Sequence, residues 1–147
     1  MNLEREHDVV TTITIGDIEV TALVDHIPPP NDVEQIYPDV PAEAWDPYRS
    51  FALDHTGQWQ TQYCAFLIRP TSGTGATVLV DSGIGAGPNP PDNRPGKLIG
   101  ELDRLGVSAD LIDAVVITHP HGDHIGWNVT YTASGKPFKS RRNSAAN

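Results

Sequence analysis

A single cysteine, Cys64, cannot form an internal disulfide, so nothing in this chain depends on an oxidising compartment. Basic residues are scarce: 10 Lys and Arg against 19 Asp and Glu leave a formal charge of −9, which repels phosphate backbones and argues against a nucleic-acid partner. No apolar run is long enough to cross a bilayer. The opening residues, Met1 to Asp8, lack the basic start and apolar stretch of a secretory signal. These absences predict a cytoplasmic protein without a membrane partner. The few bases are also unevenly placed, with Lys136, Lys139, Arg141 and Arg142 crowded near the end. So short a cluster, with no aromatic interleaved beyond Phe138, reads as an unstructured basic tail over 136–147 and not as a nucleic-acid arm. One further absence bears on chemistry: from Ile125 to Asn147 there is no histidine, aspartate or glutamate.

What is present suits one domain, expected over 1–135. Val9 to Ile15 and Ile18 to Asp25 are β-branched runs joined by Gly16-Asp17, a hairpin signature. Pro28-Pro29-Pro30-Asn31 breaks the pattern, and the chain to about Gly57 reads as a long loop with a short helix near Ala42 to Trp45. Loops of this length often line functional sites. Gln62 to Arg69 and Thr77 to Val80 predict a second hairpin, turning over Thr71 to Gly75, and a Pro/Gly/Asn loop follows from Gly87 to Arg94. Pro95 to Leu105 is the clearest helix: Pro95 suits a first turn, Leu98, Ile99, Leu102 and Leu105 share a face, and Gly106 can cap the end. Ala114 to Thr118 predicts a buried strand. Hairpins followed by a helix that feeds a strand indicate a mixed α/β or α+β layered domain.

That last strand runs directly into His119-Pro120-His121-Gly122-Asp123-His124, where three of the six histidines and an aspartate fall together. Imidazole nitrogens and carboxylate oxygens are the ligands that hold zinc, and also manganese or iron, in hydrolases. The end of a strand is where such a site is expected. Gly122 is read as permitting the turn that brings the side chains together. The competing reading is a solvated polar loop. Upstream, Val80-Asp81-Ser82-Gly83 ends an apolar run on an acid, and Asp81 has two readings: an acid capping a glycine turn, or an outer partner that fixes a ligand histidine's tautomer. Trp45, Tyr48, Phe51 and Trp59 either wall a substrate pocket or pack the loop onto its own domain. Cys64 reads as a buried small hydrophobe and not a nucleophile. His7, His26 and His55 read as exposed loop histidines.

Thr118-His119-Pro120-His121-Gly122-Asp123-His124-Ile125-Gly126-Trp127 resembles the T-H-x-H-x-D-H-x-G signature of the metallo-β-lactamase superfamily. Val78-Leu79-Val80-Asp81-Ser82-Gly83 resembles that family's upstream "LVDTG" strand end, with serine for threonine, and Gly106 to Val116 resembles its link into the motif. Trp127 and Asn128 are more similar to the lactonase-like branches than to the antibiotic-degrading ones. The resemblance implies that His119 and His121 bind a first metal and that Asp123 with His124 binds a second. It gives Asp123 a catalytic part in orienting a metal-activated hydroxide, and it makes Asp81 an outer partner of the ligand loop. It implies one or two zinc ions, with iron or manganese as alternatives, and a small-molecule substrate with an ester- or lactone-like bond.

The family takes a third histidine for its first metal downstream of the motif, then a bridging aspartate and a further histidine. The acid- and histidine-free stretch after His124 supplies none of these. The expectation is therefore the N-terminal half of the family's αββα sandwich, incomplete in this chain, from a truncated or frame-shifted gene product with impaired activity. Alternatives are a non-catalytic metal-binding fragment and a half-domain that needs a second chain. An apolar sheet face lacking its partner layer would be exposed and would favour self-association.

Overall fold

β-branched residues and a two-residue turn open the computed structural model, which describes residues 11–87 and 94–128 together with the short strands 130–131 and 137–138. Strand β1 (Thr11–Ile15) pairs antiparallel with β2 (Ile18–His26), Ile15 facing Ile18 across Gly16-Asp17. Gly16 has φ of 60°, which such a tight turn demands. Val9 and Val10 of the predicted first strand lie outside the described residues. Between β2 and the next strand run α1 (Val33–Ile36), a 3-10 helix (Ala42–Tyr48) and α2 (Arg49–Ala52). The predicted short helix near Ala42 to Trp45 is thus present but longer. Two backbone bonds, Asn31 N–H to Trp59 O at 3.0 Å and Trp59 N–H to Asn31 O at 2.8 Å, close this excursion at its base.

The chain then re-enters the sheet as β3 (Tyr63–Pro70), antiparallel to β2, and β4 (Val78–Val80), antiparallel to β3. A crossover through α3 (Leu98–Arg104) leads to β5 (Ala114–Val116), which pairs parallel with β4. Parallel neighbours need such a crossover. The sheet order is β1-β2-β3-β4-β5. The motif follows β5 in α4 (Gly122–Ile125) and a 3-10 turn (Gly126–Asn128). A separate two-stranded ladder joins β6 (Thr130–Tyr131) to β7 (Pro137–Phe138). Pro137 and Phe138 of the predicted tail therefore form a strand, while its remaining residues and His7 lie outside the described ones. So do residues 88–93 of the predicted Pro/Gly/Asn loop.

Alternate residues of β2, β3 and β4 face α3. Leu23, Ala65, Leu67 and Leu79 pack there with Leu98, Leu102 and Val107, all at most 6% exposed. Leu105, Ile112 and Trp127 border this core.

Four expectations need correction. The helix starts at Leu98, not Pro95, because the N–H of Lys97 bonds the Asp25 carbonyl at 2.8 Å and that of Leu98 bonds its carboxylate at 2.7 Å. Ile99 is 40% exposed and does not share the buried face. The strand predicted as buried over Ala114 to Thr118 is three residues long and exposed, Val115 at 45% and Val116 at 49%, because among the described residues only β4 lies beside it. His26 is no exposed loop histidine: it is 3% exposed and paired with Tyr63, since the register shifts at Asp25 and the strand goes on pairing beyond it.

Candidate metal centre

The site is built where β4 ends. Asp81 has φ of 60° and is the one non-glycine residue in the left-handed region among the described residues. Such conformations persist where surrounding contacts over-determine them, and they collect at functional sites. The contacts here are numerous. The Asp81 N–H reaches the Val116 carbonyl at 2.8 Å, extending the β4–β5 pairing by one bond. Its carboxylate accepts the Thr118 N–H at 2.8 Å, the Thr118 hydroxyl at 3.0 and 2.8 Å on its two oxygens, and His124 Nδ1 at 2.7 Å. Asp81 is 4% exposed. Burial opposes its ionisation, but the Thr118 amide, the His124 ring and the Thr118 hydroxyl together outweigh that and hold the carboxyl below the usual range. Of the two sequence readings of Asp81, the contacts favour a side chain engaged with the histidine loop over one that only caps its own turn.

These bonds set the ring tautomers. An ionised Asp81 can only accept, so His124 carries its proton on Nδ1 and turns an Nε2 lone pair outward. The Thr118 hydroxyl gives its proton to Asp81 and is left to accept from His119 Nδ1 at 3.1 Å, which frees the second nitrogen of that ring as well. The His119 ring lies 3.8 Å from that of His124 and 4.6 Å from that of His121, centroid to centroid. Asp123 Oδ2 stands 3.2 Å from His124 Nε2. The fold thus brings all four motif side chains and Asp81 to one corner of the sheet.

The loops carrying them are joined backbone to backbone. Ser82 N–H bonds the His124 carbonyl at 2.8 Å, Gly126 N–H the Gly83 carbonyl at 2.7 Å, and Trp127 N–H the Ser82 carbonyl at 3.0 Å. The Ser82 hydroxyl adds a bond to the His124 carbonyl at 3.1 Å. A Cβ on Gly126 would overlap the backbone of Ile84 and Gly85. The glycine that a close approach demands is thus Gly126, while Gly122, read as permitting the turn, opens α4 with nothing within 4 Å of where a Cβ would be.

Donor chemistry and spacing fit a divalent cation at Asp123 and His124. Two ligands each about 2.1 Å from one zinc lie roughly 3 to 3.4 Å apart, and the pair here is 3.2 Å apart. The fit stops short of a closed cage: among the described residues no three His, Cys, Asp or Glu side chains are gathered to hold a metal.

The remaining candidates lie elsewhere in the contact pattern. The His26 ring stacks on Tyr63 at 6.1 Å, and His55 is exposed in the long loop. Tyr37 packs against Trp45 at 5.5 Å and Trp59 at 5.7 Å, while Tyr48 meets only Phe51 among the described ring pairs, at 5.9 Å. Phe51 is 76% exposed, so this group is partly a self-packed loop cluster and partly open surface. Cys64 is half-buried, and burial first, then the Asp25 charge, pushes its thiol up. One residue escaped the sequence reading altogether. Asp25 is fully buried, and the alternation Thr21, Leu23, Asp25 already placed it on the core side of its strand.

The model of the metallo-beta-lactamase superfamily matches residues 59–137. Among solved structures, the hydrolase AbOPH of the beta lactamase superfamily is 25% identical, over 79% of this chain and 38% of its own, with a TM-score of 0.59. AidC, a dizinc quorum-quenching lactonase solved in complex with a product, is 21% identical over 87% of this chain and 41% of its own, with a TM-score of 0.65. A probable metal-dependent hydrolase from Staphylococcus aureus is 22% identical over 81% of this chain and 43% of its own, with a TM-score of 0.62. The chain thus spans between 38% and 43% of the length of these structures. No curated protein matches the sequence.

Proposed function

The chain belongs to the metallo-beta-lactamase superfamily and carries its mixed α/β fold, and from that premise we propose a metal-dependent hydrolase acting on an ester- or lactone-like bond. The observation that carries this reading is the pair Asp123 Oδ2 and His124 Nε2, 3.2 Å apart, with the far nitrogen of His124 held by Asp81 at 2.7 Å. Ligand histidines typically have such an outer carboxylate, which fixes the ring and raises its basicity. In this proposal His119 and His121 hold one zinc and Asp123 with His124 hold a second. When bound, zinc supplies a Lewis acid and a water acidic enough to attack at neutral pH. The protein's own part is to orient the His124 ring through Asp81, to aim the Asp123 carboxylate, and to bind a small-molecule substrate. The lactonase among the structural relatives supports screening lactones first.

No helix among the described residues is long and apolar enough to cross a membrane, and we place the protein in the cytoplasm as part of this proposal. The first test is zinc content per chain after purification, beside a His119→Ala, His121→Ala double variant, followed by hydrolysis of an N-acyl homoserine lactone and an aryl ester. About one or two equivalents of zinc, lost in the variant, is the expected result. Equal trace metal in both proteins would overturn the metal assignment.

A second reading has its own support. The described residues gather no three-donor cage, and the sheet exposes Phe66, Val115 and Val116. Both features suit a half-site completed by another chain. Activity that appears only on mixing with a complementary half of the fold would select this reading, and turnover by the chain alone would exclude it.

A further inference from the structure

The next-to-last residue of strand β2 is a carboxylate sealed from solvent. Asp25 is 0% exposed and sits at the irregularity in the β2–β3 register, between Val24 and His26. Its Oδ2 accepts the Ile84 N–H at 2.6 Å, and its Oδ1 accepts the Leu98 N–H at 2.7 Å and the Trp127 indole N–H at 3.2 Å. A Cβ on Gly83 or on Gly96 would overlap this carboxylate, so two glycines from separate segments let the backbone close around it.

The three donors come from three places in the chain: the turn after β4, the start of α3 and the end of the histidine loop. Two of them, Ile84 and Trp127, flank the backbone bonds that join Ser82 and Gly83 to His124, Gly126 and Trp127. We propose that Asp25 is a positioning residue for the histidine loop: one buried carboxylate grips both sides of that junction and sets the spacing at which Asp81 meets His124. Asp25 acts through Ile84 and Trp127. Its effect on zinc rests on the reading of Asp123 and His124 as ligands; its effect on the junction does not.

The test uses the full chain and two variants. Asp25→Asn keeps the shape but turns one acceptor oxygen into an NH2 group that faces a donor. Trp127→Phe removes one donor and leaves the carboxylate in place. Hydrogen exchange of the metal-free proteins, read amide by amide, is expected to quicken at least about ten-fold at Ser82, Thr118, Gly126 and Trp127 in Asp25→Asn, while the β2–β3 ladder changes less than about three-fold. Trp127→Phe should give the same pattern at smaller size. Zinc affinity, measured against a competing chelator, should fall about ten-fold or more in Asp25→Asn. Uniform acceleration along the chain would mean Asp25 merely stabilises the fold, and unchanged junction amides would mean it positions nothing; either overturns the proposal. If Asp25→Asn does not fold, Trp127→Phe is judged by the same two criteria. A wild-type chain that binds no zinc defeats the proposed function, while the exchange pattern still decides the role of Asp25.

Discussion

Along β2, β3 and β4 the two faces of the sheet are made of the same kinds of residue and have opposite fates. On one, Leu23, Ala65, Leu67 and Leu79 are sealed beneath Leu98 and Leu102 of α3, none more than 4% exposed. On the other, strand alternation sets Val24, Cys64, Phe66, Val80 and Val116, which are half-buried or, for Phe66 and Val116, 42% and 49% exposed. Strands that are apolar on both sides are the pattern of sheets covered on both sides. Among the described residues, one cover is present. Hydrophobicity thus states where a covering layer belongs, and packing alone shows whether it is there.

The sharpest way to test that contrast is to truncate one residue on each face and compare. Leu67→Ala opens a cavity beneath α3 and should cost about 2 to 5 kcal/mol. Phe66→Ala, next along the same strand, removes a side chain that still meets water and should cost under about 1 kcal/mol. Urea denaturation with an unchanged slope measures both. Similar losses from the two variants would mean that the open face is covered in solution, and the comparison would collapse.

Much of this contrast was readable beforehand, and the part that was not has a common cause. The Gly16-Asp17 hairpin, the second hairpin and the face of α3 carrying Leu98 and Leu102 follow from short-range patterns, which a linear sequence displays directly. The histidine motif was legible for the same reason, since its members are neighbours in the chain. What misled was long-range. Pro95 looked like a helix start because the bonds that bring Lys97 and Leu98 to Asp25 cross some 70 residues. Ala114 to Thr118 looked buried because exposure depends on what lies beside β5 and not on its own composition. The role of Asp25 depends on partners 59, 73 and 102 residues away, and the φ of Asp81 leaves no trace in residue identity.

A smaller effect is expected in association. An open apolar face is a surface for a second copy, and it lies on a chain of net charge −9 that resists crowding. Phe66→Glu places a charge in the middle of the face while leaving the sealed side intact. Sedimentation velocity should show concentration-dependent association of the wild-type chain that the variant loses, with stability changed by less than about 1 kcal/mol. A wild-type chain that stays monomeric at every concentration would show that apolarity on this face is not enough to drive pairing.

The least perturbing probe is already in place, because alternation sets Cys64 beside Phe66 on the open face. Its thiol is pushed up by burial first and by the Asp25 charge second. The thiolate is the reactive form, so a raised value means fewer thiolates at any given pH. Labelling with a disulfide reagent should therefore run slower than for a free thiol near pH 8 and keep rising with pH beyond the ordinary thiol range of about 8.5. Asp25→Asn removes the weaker of the two causes and should speed labelling modestly, in proportion to a small downward shift. The same reaction reports cover: Phe66→Glu should leave Cys64 accessible at all concentrations, whereas self-association of the wild type should slow it as concentration rises. A rate independent of concentration in a chain that does associate would put the contact somewhere other than this face, and would leave the open side of the sheet open even in the assembled form.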